Sequence, residues 1–323
     1  MWRIFSRCLT GIAALAFAGA AIAQQSFPQK SVTLMAPYPP GGPVDIVSRI
    51  LAKALTPTWG KSVVVENRTG AGGNIGSEAV ARAAGDGHTL LINTGALLVA
   101  AIVSDKLPFD PIRDLAPITK IGFAPALLLV NPKSPFNTVA DLVTYGKANP
   151  GKLSFGSPGN ATTLQLCSEL FRTLAGFDAL HIPFRGSAPS VTALIGNQID
   201  FHFDAMLSGL GHVNGGTLRA LAVSTASRSP QAPNIPTMAE AGVSGYDASI
   251  WFGVFAPAST PALVVEKIAR DIQQALQQPD TKKQLESTGF IIVGNTPQQL
   301  AKEMAAESKL WVEVIRKTGV KME

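Results

Sequence analysis

From Ser31 onward, short apolar runs alternate with glycine-containing loops that open into helices, and this alternation restricts the chain to an α/β sheet architecture. "SVTLMA" (31–36) reads as a buried strand. "PYPPGGPVD" (37–45) reads as a loop. "IVSRILAKAL" (46–55) then places Ile46, Val47, Ile50, Leu51, Ala54 and Leu55 on one helical face. The cycle repeats through the strand "KSVVVEN", the loop "RTGAGGNIG", the helix "SEAVARAA" and the strand "HTLLIN". Each helix carries the chain back across the sheet, so successive strands run parallel. The proline-rich stretch from Lys106 to Pro117 reads as a loop, and "PALLLVNP" as a further strand.

A second unit follows the same scheme. "KLSFGSPGN" enters a Gly/Ser/Asn loop, and the next helix puts Leu164, Cys167, Leu170, Phe171 and Leu174 on one side. "DALHIPF", "QIDFHFDAM" and "TLRALAVST" read as strands, with a loop and helix over "RGSAPSVTALIGN". A Pro-punctuated segment leads to the strand "ASIWFGVFAP". Two amphipathic helices then cover 261–276 and 297–315, with "FIIVGN" between them. Two α/β units with loops at matching positions predict two lobes facing a ligand cleft, with two connections crossing between them. The expected division is 24–123 plus 251–323 for one lobe and 124–250 for the other.

The N-terminus predicts export. Arg3 and Arg7 precede the apolar run "LTGIAALAFAGAAIA", which ends in small residues at Ala21 and Ala23, so cleavage is expected before Gln24 and removal of residues 1–23. The run is short against the roughly 20 residues of a spanning helix. Loss of Cys8 leaves Cys167 alone, in the apolar pattern of a helix, so a buried unpaired thiol is expected and disulfides are not. Stability must then come from core size. Of the formal net charge of +5, two units leave with Arg3 and Arg7, giving +3. The charges are interspersed with no basic run and no aromatic ladder, which makes nucleic acid a poor candidate partner and is compatible with an anionic ligand.

Helix N-termini have unpaired N–H groups and a partial positive charge, so a flexible loop in front of one can hold an anion without a charged side chain. Four such loops occur: Gly41-Gly42 before Asp45, Gly72-Gly73-Asn74 before Ser77, Ser157-Gly159-Asn160 before Thr163, and Gly186-Ser187 before Val191. Two per lobe, each after a strand, suit a small anion gripped between lobes. Individual residues keep two readings. Asp45 is either a helix cap or a ligand contact. Asp204, at the carboxyl end of its strand, either accepts from a ligand or is a solvated loop acid. Tyr38 lines the cleft or packs on Pro39 and Pro40. Thr162, Thr163 and Ser187 donate to an anion or cap helices, and Arg185 reads as a surface cation.

Catalytic and cofactor motifs are absent. "GKS" at Gly60 has Leu55 where a P-loop needs glycine, and "GAGGNIG" has Ile75 at the third glycine of a dinucleotide fingerprint. Gly242-Val243-Ser244-Gly245 is followed by Tyr246 rather than completing G-x-S-x-G. His88, His181, His202 and His212 show no metal-ligand spacing. No cofactor, metal or catalytic residue is expected.

Long motifs in a fixed order resemble the extracytoplasmic receptors of tripartite tricarboxylate transporters, the Bug-type family: "PYPPGGPVDIVSR", "VVVENRTGAGGNIGSEAVARAAGDGHTLL", "LPFDPIRDLAPIT", "FGSPGNATTLQLCSELF", "HIPFRGSAPSVTALIGNQIDFHFD" and "LRALAVSTASRSPQAPNIPTMAEAG". The resemblance covers essentially the whole mature chain. It implies a periplasmic-binding-protein fold with two α/β lobes and flytrap closure over a small carboxylate. It also implies contacts from Tyr38, Gly41, Gly42, Asp45, Gly73, Asn74, Ser157, Gly159, Asn160, Thr163, Gly186, Ser187 and Asp204. The implied partners are the membrane subunits of a transporter or, in the alternative, a membrane sensor, with a monomer the default; an exported enzyme acting on a carboxylate is a further alternative. Two departures stand out: His88 occupies an expected tyrosine position, and "NTGALLVAAIVSD" lacks the polar residues expected of a loop bordering the cleft.

Overall fold

The computed structural model describes residues 27–103 and 107–318. The expected signal segment, its cleavage point and Cys8 lie outside them. The first sheet is built on β1 (Val32–Ala36), flanked in parallel by β2 (Val63–Asn67) and β3 (Thr89–Thr94). β1 is a central strand, and Val32, Leu34, Met35 and Ala36 are all buried, which is why its sequence is a continuous apolar run rather than an alternation. β9 (Ser249–Pro257) and β4 (Leu115–Val130) extend this sheet, β9 antiparallel to both β3 and β4, and β10 (Ile291–Ile292) pairs with β4 beyond. In the second sheet β5 (Leu153–Ser157) lies parallel to β6 (Ala179–Pro183) and β7 (Phe201–Ala205). There β4 pairs antiparallel with β7 and with β8 (Arg219–Val223).

β4 therefore belongs to both sheets. Its residues from Leu115 to Pro125 pair with β9, and from Ala126 onward the partners are β7 and β8. The sequence reading begins this strand only at Pro125. Pro117 and Pro125, which cannot donate to a ladder, hide the first two-thirds, and the register shift beside Pro117 absorbs one of them. We propose that the lobes divide at Pro125/Ala126 and at Ala248/Ser249, in place of the expected 123/124 and 250/251.

At this junction the two crossings are tied through one side chain. The Ser224 hydroxyl accepts from the Ala126 amide at 2.8 Å and donates to the Ala248 carbonyl at 2.6 Å, while the Ser224 backbone bonds to both residues as well. Nearby, the Tyr246 hydroxyl donates to the Cys167 carbonyl at 2.9 Å, and its ring stacks on Phe203. Cys167 is buried and unpaired, and burial pushes its thiol pKa up to about 12.

The helices run in order as α1 (Pro43–Trp59), α2 (Asn74–Ala81), α3 (Ala96–Val103), α4 (Val139–Ala148), α5 (Thr163–Ala175), α6 (Ser187–Ile195), α7 (Met206–Asn214), α8 (Ala262–Gln277), α9 (Pro279–Glu286) and α10 (Pro297–Thr318). α2 starts at Asn74 rather than Ser77, and α3, α4, α7 and α9 are additions to the expected set. α3, "ALLVAAIV", is apolar around its whole circumference and so shows no helical period. Its Val99 packs on Ala161 and Leu166 of the other lobe, so the segment after β3 closes against the facing lobe with apolar rather than polar groups.

Removing the Ser224 hydroxyl strands a buried amide and leaves the Ala248 carbonyl one partner fewer. Ser224→Ala should therefore lower unfolding stability by about 1–3 kcal/mol, as read by urea denaturation, with an unchanged m-value.

Candidate functional site

The loops between strand ends and helix starts meet where the lobes touch. A Cβ on Gly72 would lie 2.7 Å from the Asn160 carbonyl oxygen, and one on Gly186 would lie 2.6 Å from the Pro39 ring. Real Cβ contacts do not come that close, and both glycines have positive φ, +66° and +115°, so glycine alone allows the backbones to approach. The lobes are thus closed on one another.

Between them lies a narrow cavity of about 40 Å³. Tyr38, Gly42, Pro43, Val44 and Thr94 line it from the first lobe, and Pro158, Thr162, Thr163, Leu164 and Ser187 from the second. Ile250, at the start of β9, lies at the junction. Thr163 and Ser187 are the first residues of α5 and α6. Both are buried, 8% and 5% exposed, and their hydroxyl oxygens have no hydrogen-bond partner. Buried polar groups are almost always paired, so two orphan hydroxyls facing one cavity mark a place where a ligand supplies the partner.

The other hydroxyls of the wall are already engaged. The Tyr38 hydroxyl donates to the Gly72 carbonyl at 3.0 Å, and burial raises its pKa far above the ordinary phenol value. Thr162 donates to the Gly159 carbonyl and accepts from the Gln165 amide as the cap of α5.

Most of the remaining residues expected at the site stand behind the wall. Asp45 is 3% exposed and takes bonds from Gly41 N–H, Arg49 Nε and Asn67 Nδ2. Burial alone would raise its pKa, but these donors outweigh that and hold it below the ordinary value. Asn67 also donates to the Tyr38 carbonyl, so Asp45 fixes the Tyr38–Gly42 loop from beneath. Gly73 and Gly186 line a neighbouring crevice of about 60 Å³, which shares Tyr38 and Pro158 with the cavity. Asn74 is buried at the start of α2, and Gly159 and Asn160 form the loop that meets Gly72. Asp204 does not line the cavity: it is fully buried in β7, one oxygen accepting from Ser208 at 2.7 Å and the other 3.8 Å from His202.

Ser157 is held by a relay. Gln165 donates to His181 Nδ1 at 3.2 Å, which leaves the proton on Nε2, 2.6 Å from the Ser157 oxygen. Ser157 donates on to the Gly159 carbonyl. Burial of the imidazole, which stacks on Phe155, lowers its pKa to about 4. Protonation would set a second donor against the Gln165 amide. The relay thus requires neutral histidine and fixes the loop that carries Gly159.

The residues that sequence reasoning missed are Pro43, Val44, Thr94, Pro158, Leu164 and Ile250. Pro43 and Val44 occupy the first two positions of α1, as Thr163 and Leu164 do of α5, so taking the first two helical positions together with each loop would have found Pro43, Val44 and Leu164.

The chain matches the family model described as "Tripartite tricarboxylate transporter family receptor" over residues 47–320. It belongs to that receptor family. Protein BugT of Bordetella pertussis is 35% identical over 305 residues, covering 94% of each chain. Among solved structures, R. palustris Rpa4515 with adipate superposes with a TM-score of 0.89 at 33% identity, over 92% of this chain and 99% of that one. MatC from Rhodopseudomonas palustris with bound malate gives 0.85 at 29%, over 90% of this chain and all of the other. The chain shares the fold of the periplasmic binding protein BugD, with a TM-score of 0.88 at 32% identity, its family is one of receptors rather than enzymes, and among the described residues no helix is long and apolar enough to cross a membrane.

Two outcomes follow from this geometry. His181 binds a proton less readily folded than unfolded, so between pH 6.5 and about 4 the unfolded state holds the extra proton and stability falls on acidification. The loss is of order 1 kcal/mol after allowing for the ring's partial exposure. Melting temperature against pH should show it, and His181→Phe should flatten that limb. Gly72→Val should keep the lobes from closing; with saturating ligand its radius of gyration by small-angle scattering should stay above that of the wild type.

Proposed function

We propose that this receptor captures a small organic carboxylate in the periplasm by closing its lobes over it, and delivers the acid to the membrane subunits of a tripartite tricarboxylate-type transporter. The carrying observation is the pair of unpartnered, buried hydroxyls of Thr163 and Ser187 at the starts of α5 and α6. A carboxylate accepts from such hydroxyls and from the free N–H groups of both first turns, and is favoured by both helix dipoles. The relatives with adipate and malate support this class of ligand. Export follows from the N-terminal sequence, with cleavage before Gln24.

Closure explains how weak donors suffice. Bringing the Gly72 and Gly186 backbones against the opposite lobe excludes water, and hydrogen bonds to a charged group gain strength in the drier site. No covalent step is involved, and the ligand leaves as it entered.

The test is calorimetry on protein stripped of co-purified ligand by unfolding and refolding, against mono-, di- and tricarboxylates. Binding of an acid without turnover is expected. Thr163→Val and Ser187→Ala should each weaken it by roughly 10–100-fold, the value of a hydrogen bond to a charged partner, with little change in the melting temperature of the free protein. Unaltered affinity in both variants would refute the site.

A further inference from the structure

The unsatisfied side-chain hydroxyls of the cavity all lie in the second lobe. Of the three helix starts that line it, those of α5 and α6 have no acidic residue in the first turn, whereas α1 has Asp45. That carboxylate already takes the Gly41 N–H and sits against the positive end of α1. The first position of α1 is Pro43, which has no N–H to offer. The start of α1 is thus neutralised and short of donors, and Pro43, Val44 and Ile250 form the apolar part of the wall, beside Tyr38, whose hydroxyl is committed to the Gly72 carbonyl, and Thr94, whose hydroxyl takes the Ala96 amide. No charged side chain among the described residues lines the cavity. The orphan hydroxyls, Thr163 and Ser187, both belong to the opposite lobe.

Resting on the carboxylate reading above, we infer that the ligand is a monocarboxylate with an apolar body, its carboxylate on α5 and α6 and its body against Pro43, Val44 and Ile250. A second carboxylate on the same molecule would be buried against these apolar side chains, with the acid of α1 behind them and the Tyr38 hydroxyl already committed to Gly72, so little is left there to replace its water. Burying an unpaired charge in that way is among the costliest steps in recognition. An alkyl or aryl body in the same place gains the transfer of its surface out of water. The structure thus sets this receptor apart in ligand charge from its adipate- and malate-bound relatives, while the closure contacts serve either kind of ligand.

Calorimetry on the stripped full chain with matched acids decides the matter: hexanoate against adipate, and benzoate against terephthalate. At least one monoacid should bind 10-fold or more tighter than its diacid. Equal or tighter binding of the diacids would overturn the inference and leave the carboxylate receptor standing. Failure of every acid in the panel, including tricarboxylates and acidic amino acids, would overturn both. The orientation has its own readout. Ser187→Ala should weaken propionate and hexanoate by the same factor, whereas Val44→Ala should weaken hexanoate about 5-fold more than propionate, because only the longer tail reaches that wall. Equal losses in Val44→Ala would reverse the assigned ends.

Discussion

The arrangement of the molecule depends on β4 hydrogen bonding in two sheets along one uninterrupted strand. A strand is stiff along its length, so pairing with β9 at one end and with β7 and β8 at the other fixes where the two sheets stand relative to one another. The strand-to-helix loops of both sheets consequently meet across one cavity. Ser224 adds the second tie, locking the outgoing and returning crossings together at the changeover. On the proposed division, rotation of one lobe against the other would fall on the residues around Pro125 and Ala248.

The acid of α1 divides the labour of the helix starts. Each such terminus offers the same partial charge, and the chain satisfies one internally while leaving two open. Asp45 is structural in consequence: it holds Gly41, Arg49 and the loop carrying Tyr38, and spends its charge there. The second lobe holds its equivalent loop by a neutral relay through His181. The positive ends of α5 and α6 remain unspent.

Much of this was legible in the sequence. The alternation of apolar runs and glycine loops identified β1, β2, β3, β5, β6 and β7: β1, β3, β5 and β7 are buried and read as near-continuous apolar runs, and the half-exposed edge strands β2 and β6 were placed by the loops around them. Thr163, Ser187, Gly42 and Tyr38 were named from their places beside those loops, and they line the cavity. What local pattern could not show was of two kinds. Elements without a period were hidden, as with the uniformly apolar α3 and the proline-bearing first part of β4. The capping box of Thr138 and Asp141, which starts α4, was present in the sequence and passed over. The direction of a side chain was also hidden: Asp204 and Ser157 sit at strand ends facing the cleft in sequence order, yet their partners turn them into the second lobe. Ile250 reaches the cavity only because the return crossing brings it there, and nothing near it in the chain announces that.

The order of the strands has a consequence for how the chain assembles. All strands of the second sheet lie within one stretch, from Ala126 to Val223. The first sheet instead places β9 between β3 and β4, so the segment that emerges earliest waits beside an empty slot until residues past 249 have followed. The two lobes therefore mature out of register with their order in the chain: the later lobe can complete itself while the earlier one still exposes the unpaired edge of β3. A chaperone that shields this protein in transit would find its work on that edge.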